Sequence, residues 1–439
     1  MRVAGPDVSG RPQPGGQRTQ ATVGKAGAGA RPDAEAAYDP NWRRTFYTLC
    51  ACQCVAMLAF GMATPFLPLY VQHLGVGSAT EAVRWAGLMS AAAMLVMAAM
   101  APVWGTLADR HGRKGMVVRA LFGGGTVVAL MGFARSPEQL LALRLVQGAF
   151  SGTVSAMRTL VSSVAPAREL GYVLGMMQTA SFIGNSAGPL VGGIVADQIG
   201  FGATFAITGV LLVVTGIGVV RFVREDFSRP APAAAGEGGM GPALRLVLQI
   251  PGLLALIGTL FFVQAGMSAV SPVLPLYVST LVPEDYPNVA TLAGLMLGAG
   301  AITGALAAGF AGKIGDRVGH ARVVAACSVL AAVTYLPQAL VDSPWQLLAL
   351  RAVQGLFTGG LIPGVMAIVA VRTPSARRGL VFGLTATATA LGNAAGPAAG
   401  AAATTAFGLR GAFVVTAAVL TVAGAWVVFA LRSEPGGSD

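Results

Sequence analysis

The chain has 439 residues, of which 54% are hydrophobic and only 11% are charged. This composition excludes an ordinary soluble domain, in which about 25% of residues are charged. The net charge of +11 would suit a nucleic-acid partner, but the basic residues lie in short segments between apolar runs, where they orient a membrane protein. We therefore predict a polytopic membrane protein with no nucleic-acid partner.

The first apolar run follows residue 41. Residues 1–41 are rich in Pro, Gly, Ala and Arg and contain no apolar run, so we expect a disordered cytoplasmic tail and not a signal peptide. Later segments hold the roughly 20 mostly apolar residues that a membrane-spanning helix needs, and we name them spans 1 to 12. The spans are predicted at 46–71, 85–107, 116–134, 139–164, 170–196, 202–220, 250–279, 289–311, 323–341, 345–371, 380–406 and 411–431.

A segment of Pro, Gly, Ala and charged residues separates span 6 from span 7. We predict an N-terminal six-helix bundle at 42–220, a cytoplasmic linker at 221–245, a C-terminal bundle at 246–432 and a tail at 433–439. Of the basic residues, Arg84, Arg135 and Arg410 lie in loops on one side, and Arg144, Arg158 and Arg351 lie within spans. All others fall on the opposite side, which the positive-inside rule makes cytoplasmic together with both termini.

Span 1 contains a cysteine triplet and a proline pair. The triplet is Cys50, Cys52 and Cys54. Alternate positions of a helix face different directions, so these thiols make a poor tetrahedral cage, and we predict no metal site. Prolines interrupt spans 1 and 7 at corresponding positions, which we predict to be gates. These prolines are Pro65, Pro68, Pro272 and Pro275.

The loop between spans 2 and 3 is short, charged and rich in glycine. Its informative residues are Gly105, Asp109, Arg110, Gly112, Arg113 and Lys114. Charges cost several kcal/mol each in hydrocarbon, so this segment must be a hydrophilic turn between two membrane helices. A second copy with Asp316, Arg317 and Gly319 lies 207 residues later.

The repeat extends far beyond the charged loop. At the same offset of 207 residues, the stretch 67–71 matches 274–278, 86–89 matches 293–296, and 144–148 matches 351–355. After one inserted residue, 184–189 matches 392–397. The chain therefore consists of two copies of one six-helix unit that run in the same sense, and we expect the substrate path between them near mid-membrane.

Span 4 carries a polar stripe within an apolar helix. Its members are Arg144, Gln147, Ser151, Ser155 and Arg158, with Arg351 and Gln354 as repeat equivalents on span 10. The spacing places the stripe on one helical face, which must meet protein or water rather than lipid. We expect these groups to contact substrate or the coupling ion. The alternative is that the arginines snorkel or form structural pairs near the helix ends.

Span 5 carries a strip of small residues, Gly184, Gly188, Pro189, Gly192 and Gly193. Glycines four residues apart let a neighbouring helix approach closely, and the proline permits a bend. The same stretch also fits G-x-S-x-G, the nucleophile motif of hydrolases. That motif requires a preceding strand and a nearby histidine and acid, and the sequence provides neither. We therefore do not predict an enzyme.

Acidic residues are absent from the middle of every span. Proton-coupled exporters commonly use a buried carboxylate that loads and releases a proton, and here the nearest candidates are Asp109 and Asp197 at the two span margins. No G-x-x-x-x-G-K-[ST] motif occurs, so ATP is not expected to drive the protein, and no cofactor is predicted.

The first loop copy, the span 4 pattern L-x-x-R-x-x-Q-G and the span 5 pattern G-x-x-x-G-P-x-x-G-G together resemble the major facilitator superfamily. Within it they are most similar to the twelve-span drug:proton antiporters, especially the MdtG-type multidrug efflux group. The resemblance implies an all-α fold of two pseudo-symmetric six-helix bundles. It also implies that Asp109 holds the cytoplasmic side closed by meeting a helix N-terminus of the other bundle. The second copy departs from the pattern, with His320 and Ala321 replacing the Arg-Lys pair.

We therefore expect a monomeric secondary transporter of the bacterial cytoplasmic membrane. It would export a small amphipathic or anionic compound by proton antiport and rocker-switch alternating access. An uptake permease for a metabolite is the alternative within the same class, and a non-transporting membrane receptor is a third hypothesis. Export assays separate the first two, and a receptor would give no flux in liposomes.

Overall fold

A computed structural model describes residues 42–225, 252–374 and 378–432. The predicted N-terminal and C-terminal tails, and residues 226–245 of the predicted linker, lie outside the described residues. Every regular element in the described ranges is helical, as the apolar runs predict. The division into two bundles remains a prediction, since one continuous apolar core of buried side chains includes residues from spans 1 to 12.

The predicted spans correspond to helices whose ends differ from the predicted ends by at most seven residues, the largest differences being at the start of span 2 and the end of span 8. Spans 2, 3, 5, 6, 8 and 9 are Ala79–His111, Arg113–Met131, Leu170–Ile199, Phe201–Phe222, Val289–Val318 and His320–Gln338. Spans 11 and 12 form one helix, Arg378–Arg432, whose backbone leaves the helical region at Gly408. Ten of the described segments are long and apolar enough to cross a membrane, with spans 11 and 12 counted as one. Span 5 is not among the ten, because glycines and polar side chains lower its hydropathy.

Four spans are broken into two helical pieces each. Span 1 consists of Trp42–Ala63, a 3-10 turn Thr64–Phe66, and Leu67–His73, and span 7 consists of Leu253–Ala269 and Leu274–Ser279. Span 4 consists of Pro137–Phe150 and Thr153–Val164, and span 10 of Pro344–Thr358 and Leu361–Arg372. Pro65 and Pro272 lie in the first two breaks, where the missing backbone N–H removes a helical hydrogen bond.

The internal repeat is reproduced in atomic contacts. The Tyr70 hydroxyl has the Met131 carbonyl as its closer acceptor at 2.9 Å and the Ala134 carbonyl as a second acceptor at 3.4 Å. The Tyr277 hydroxyl donates to the Val341 carbonyl at 3.4 Å. Tyr277 and Val341 lie 207 residues after Tyr70 and Ala134. Each tyrosine fastens the end of its broken span to the loop that follows the third span of the same copy.

Candidate functional site

The glycine strip of span 5 lies directly against the backbone of span 1. A β-carbon on Gly184 would lie 2.3 Å from the Cys54 carbonyl oxygen, and one on Gly188 would lie 2.6 Å from that of Leu58. Gly192 approaches span 1 in the same way at Met62. Real β-carbons essentially never come within 3.0 Å of such atoms. The strip therefore brings two backbones together at a distance that only glycine permits.

The second copy repeats this contact between spans 11 and 7. A β-carbon on Gly392, Gly396 or Gly400 would lie 2.0–2.5 Å from backbone or side-chain oxygen atoms of span 7. The span 11 motif matches that of span 5 incompletely. Its glycines nevertheless have the same four-residue spacing, and they pack against the first span of their own copy. Close packing of the fifth span on the first is thus a property of both copies.

Gly193 lies on a different face of span 5 and contacts the other half of the chain. A β-carbon there would lie 2.3 Å from the Ala290 carbonyl oxygen at the start of span 8. From the opposite side, a β-carbon on Gly294 would lie 2.2 Å from the Pro189 carbonyl oxygen. Spans 5 and 8 therefore meet backbone to backbone near the ends that the charge distribution predicts to be external.

Asp197 closes this contact with two hydrogen bonds. The backbone N–H of Ala290 donates to Oδ1 at 3.1 Å, and that of Thr291 donates to Oδ2 at 2.6 Å. Both donors belong to the first turn of span 8, where helical N–H groups lack intrahelical partners and the helix dipole favours negative charge. The half-buried carboxylate is thus bound to a helix N-terminus of the other half.

The pseudo-equivalent contact between spans 2 and 11 has no carboxylate. A β-carbon on Gly87 would lie 2.7 Å from the Ala401 β-carbon and 3.1 Å from the Pro397 carbonyl oxygen. Thr405, which takes the place of Asp197 in span 11, donates its hydroxyl proton to the Ala401 carbonyl of its own helix at 2.9 Å. Of these two contacts between the halves, the described residues place a carboxylate only in the one between spans 5 and 8.

The loop between spans 2 and 3 turns at Gly112, whose φ of 89° favours glycine. Gly319 has a φ of 95° at the same point of the second copy. The Glu225 carboxylate accepts the backbone N–H groups of Arg113 and Lys114 at 2.9 and 2.7 Å. The end of span 6 thus caps the start of span 3, a contact that the motif did not predict.

Other residues of the two loops are more exposed. Gly105 has an open environment, and the side chains of Arg110 and Arg317 are exposed. Nothing is described of the Asp109 side chain. In the second copy, His320 Nε2 lies 3.2 Å from Asp316 Oδ1, so the Asp316 carboxylate pairs with the residue that replaces Arg113.

Two buried arginines occupy equivalent places in spans 4 and 10. Arg144 donates from Nη1 to Gln147 Oε1 at 3.0 Å, and Arg351 donates to Gln354 Oε1 at 2.8 Å. Each arginine is only 7% exposed, and each has a buried Nε without a hydrogen-bond partner among the described residues. No described carboxylate forms an ion pair with either guanidinium. Among the described residues, the hydrogen-bond partners of both guanidinium groups are therefore neutral side chains.

The surroundings of the two arginines differ. Gln354 Nε2 donates to the Tyr335 hydroxyl at 2.9 Å, and the Arg351 guanidinium lies 6.0 Å from the Tyr335 ring centre. Val128 stands at the position equivalent to Tyr335 in the first copy, and in the described part of the chain the Arg144 side chain bonds to Gln147 and not to a phenol. Arg144 is consequently the less satisfied of the pair.

The polar stripe of span 4 is not continuous, because the helix breaks at Ser151 and Gly152. Gly152 has a φ of 112°, and the Ser151 hydroxyl donates to the Gln147 carbonyl at 3.0 Å. Beyond the break, Arg158 donates to Gln178 Oε1 of span 5. The structure therefore places Arg144 and Gln147 in one helical piece and Arg158 in another, contrary to the single face that the spacing predicts.

Two residues near this break were absent from the sequence-based candidates. Arg119 donates from Nη2 to the Ser151 carbonyl at 3.3 Å and stacks over the Trp104 ring at 3.7 Å. The indole Nε1–H of Trp104 donates to the Ala149 carbonyl at 2.7 Å. The sequence signal for Trp104 and Arg119 is a difference between the two copies, because Ala311 and Ala326 stand at the equivalent positions 207 residues later.

The gate prolines are all buried. Pro65 and Pro272 lie within the breaks of spans 1 and 7, and Pro68 and Pro275 lie in the first turns of the short helices that follow. These short helices contact each other across the two halves. They belong to the same end of the molecule as the Asp197 contact.

The sequence matches the profile of the Major Facilitator Superfamily over residues 49–282 and 282–439. It is 33% identical over 396 residues to multidrug resistance protein MdtG of Yersinia enterocolitica, covering 90% of this chain and 95% of that protein. The MdtG of Salmonella typhimurium is 32% identical over 381 residues, with coverages of 87% and 93%. A bacterial homologue of the human lysosomal transporter Spinster, solved in an inward-facing, unoccupied conformation, superposes with a TM-score of 0.71 at 16% identity, covering 90% of this chain and 98% of that chain.

Proposed function

The chain belongs to the major facilitator superfamily of transporters, and from that premise we propose that it exports a small amphipathic or anionic compound by proton antiport. It is a multi-pass protein of the bacterial inner membrane, related along nearly its whole length to multidrug resistance proteins. These relatives are named multidrug resistance proteins, which favours export of foreign amphipathic compounds as the activity. Both termini are proposed to lie in the cytoplasm, as the distribution of arginine and lysine requires.

Alternating access between two closures is the proposed mechanism, and the Asp197 contact is the observation that carries it. One end of the molecule is closed by spans 5 and 8, which meet at Gly193 and Gly294, and by spans 2 and 11, which meet at Gly87. With the predicted orientation this closed end is external. We propose that this conformation is open toward the cytoplasm, in which case export requires the closed end to separate.

We propose that Asp109 and Asp197 stabilise closure at opposite ends of the transporter. The family resemblance implies that Asp109 binds a helix N-terminus of the other half when the cytoplasmic side closes. Asp197 binds the N-terminus of span 8 in the present conformation, at the end that the predicted orientation makes external. A carboxylate at a helix N-terminus contributes about 0.3–2 kcal/mol, which is enough to shift a two-state equilibrium severalfold. Making one contact while breaking the other would keep the two states close in energy.

The anionic preference rests on the uncompensated arginines. Arg144, Arg158 and Arg351 lie within spans, and no acidic residue lies at mid-span. An arginine at mid-membrane costs at least about 2.5–3.5 kcal/mol, so a carboxylate or phosphonate on the substrate would supply favourable bidentate hydrogen bonds. Asp197 and Asp109 remain the proposed sites of proton loading, since they are the acids nearest the path.

Transport in inverted membrane vesicles with an acidic lumen tests this function. The probes are a fluorescent amphipathic carboxylate and its neutral methyl ester, and the controls are vesicles without the protein and vesicles with dissipated pH gradient. Antiport predicts accumulation of the carboxylate in the lumen that stops when the gradient is dissipated. Movement of probe out of the lumen together with protons would indicate uptake instead, and absence of flux with a broad set of probes would contradict a transporter of such compounds.

A further inference from the structure

An apolar groove runs along spans 8 and 9 with span 10 at its base. Its volume is about 720 Å³, and every lining residue but one is apolar. Leu306, Phe310 and Ile314 form one wall, Leu330 belongs to the other, and Leu356 lies at the base. The exception is Arg322, at the end of the groove nearest the charged loop.

The groove lies where the second copy has two small side chains in place of a large stacked pair. In the first copy Trp104 and Arg119 stack at 3.7 Å between spans 2 and 3. Ala311 and Ala326 stand at the equivalent positions, and both line the groove. The stacked pair of the first copy thus corresponds to two alanines that border open space in the second copy.

The groove faces lipid and not the path between the halves. On span 8, Gly294 and Gly298 contact span 5 of the other half. Phe310 and Ile314 are 68% and 51% exposed, and at about 100° per residue they point away from the face of those glycines. In a bilayer this surface is therefore covered by acyl chains.

The length of the groove corresponds to one leaflet. Leu306 and Val318 both line it, and the rise of about 1.5 Å per residue places them about 18 Å apart along the helix. The hydrocarbon core is about 30 Å thick, so one leaflet contributes about 15 Å. An acyl chain lying in the groove would extend from the headgroup level to the bilayer centre.

Arg322 supplies the charge that a phospholipid headgroup requires. It lies in the first turn of span 9, its side chain is exposed, and it donates a single long hydrogen bond of 3.4 Å to the Val318 carbonyl. No ion pair joins it to a described carboxylate. A guanidinium has five donors whose geometry suits bidentate binding of phosphate, so most of this capacity is free at the depth of the headgroups.

We propose that this groove binds one anionic phospholipid of the cytoplasmic leaflet, with the phosphate on Arg322 and an acyl chain along Phe310, Leu330 and Leu356. Charge complementarity at one end and apolar complementarity along the rest select a lipid rather than a soluble ligand. The site is separate from the transport path, so it does not depend on which compound is exported.

Retention of phosphatidylglycerol tests the site directly. The full chain is reconstituted in nanodiscs of phosphatidylcholine and phosphatidylglycerol, extracted into detergent, and analysed by native mass spectrometry. We expect the wild type to retain one phosphatidylglycerol and Arg322→Gln to lower that retained fraction about tenfold, the factor that a hydrogen bond to a charged group contributes. Ala326→Phe should reduce retention as well, because it fills the groove without touching the charge.

Arg221→Gln is the matched control, since it removes one exposed arginine from the end of span 6, far from the groove in the chain. It should retain phosphatidylglycerol as the wild type does. Thermal unfolding in detergent identifies any variant that is merely unfolded. Wild-type retention by both Arg322→Gln and Ala326→Phe would overturn the proposal, and so would an equal loss in Arg221→Gln, which would indicate general surface attraction.

Discussion

The carboxylate of Asp197 accepts the backbone N–H of Thr291 at 2.6 Å, across the contact between the two halves of the chain. Its two oxygens each accept one backbone N–H at the N-terminus of span 8. The two oxygens of Glu225 do the same at the N-terminus of span 3. The difference is that Glu225 joins elements of one half, whereas Asp197 joins elements that must separate if this end opens. The same geometry therefore joins elements within one half at Glu225 and elements of both halves at Asp197.

We predict that Asp197→Asn favours opening of the external end. Asparagine keeps one acceptor oxygen but loses the charge–dipole attraction of about 0.3–2 kcal/mol. The Ser186 carbonyl oxygen would lie 3.0 Å from a β-carbon on Gly298, so Ser186 lies at the contact between the halves. The reporter is Ser186→Cys in a chain whose native cysteines are replaced by alanine. Labelling by an impermeant maleimide from outside should become about two- to tenfold faster.

Asp285→Asn is the control for this prediction, because it removes an exposed acid from the adjacent external loop without touching span 8. Its labelling rate should equal that of the parent. Equal rates in Asp197→Asn and the parent would mean that the carboxylate does not hold the external end closed.

The cytoplasmic loop gives a second prediction, that Asp109→Asn loses most transport while reaching the membrane in normal amount. Its proposed partner is a helix N-terminus of the other half, so the amide would weaken the closed cytoplasmic state. Asp316→Asn should reduce transport less, because Asp316 is 74% exposed and pairs with His320 in its own loop. The measurement is initial flux per molecule of reconstituted protein, and wild-type flux from Asp109→Asn would contradict it.

Much of the architecture follows from composition and repetition in the sequence. Apolar length places the spans, and the match of 67–71 to 274–278 predicts that Tyr70 and Tyr277 have equivalent surroundings. Glycine spacing in span 5 likewise predicts close helix packing. These features depend on local pattern, which a single chain displays directly.

Other features depend on partners that lie far away in the chain. Nothing near Asp197 indicates that its carboxylate meets the amides of Ala290 and Thr291, because span ends commonly carry acids. The sequence does not predict the break at Gly152, because glycine is common within membrane helices. Its position alone cannot distinguish a glycine with a left-handed backbone from one that lets helices pack closely. The roles of the candidate residues in transport remain predictions.

Gly188→Val provides a third prediction, a stalled cycle with reduced protein stability. The new side chain would push against the Leu58 carbonyl oxygen, 2.6 Å from the β-carbon position, and would force span 5 away from span 1. Gly175→Val is the matched control on the same helix, since no heavy atom lies within 4 Å of its β-carbon position. Flux and melting temperature should fall only in Gly188→Val, and normal turnover by that variant would refute the packing argument.

A fourth prediction concerns Glu225→Gln, which should destabilise the fold by about 0.5–2 kcal/mol, as loss of a helix cap does. The glutamine side chain has one carbonyl oxygen and no negative charge. It can therefore accept one N–H of span 3 but cannot replace the carboxylate at both. Glu284→Gln removes an exposed external acid and should leave unfolding unchanged. Chemical unfolding in detergent compares the two, and identical midpoints would show that the Glu225 contact contributes nothing measurable.

The buried arginines carry the last prediction, which separates an anion site from a coupling role. Arg144 has a free Nε, neutral partners and no phenol beside it, whereas Arg351 has Tyr335 nearby. Lysine keeps the positive charge but loses the planar fork that binds a carboxylate bidentately. If Arg144 binds the substrate, Arg144→Lys should therefore weaken export of a carboxylate probe strongly and export of its neutral ester much less.

The coupling alternative makes the opposite prediction for the same pair of probes. If Arg144 acts by tuning an acid such as Asp197, both probes depend on the same proton step, and Arg144→Lys should slow both equally. Arg351→Lys is the internal comparison, because its guanidinium is similarly buried but better supplied with partners. A carboxylate-to-ester rate ratio that falls in Arg144→Lys and stays constant in Arg351→Lys assigns the anion to span 4. An unchanged ratio with uniformly lower rates refutes the anion site and favours coupling.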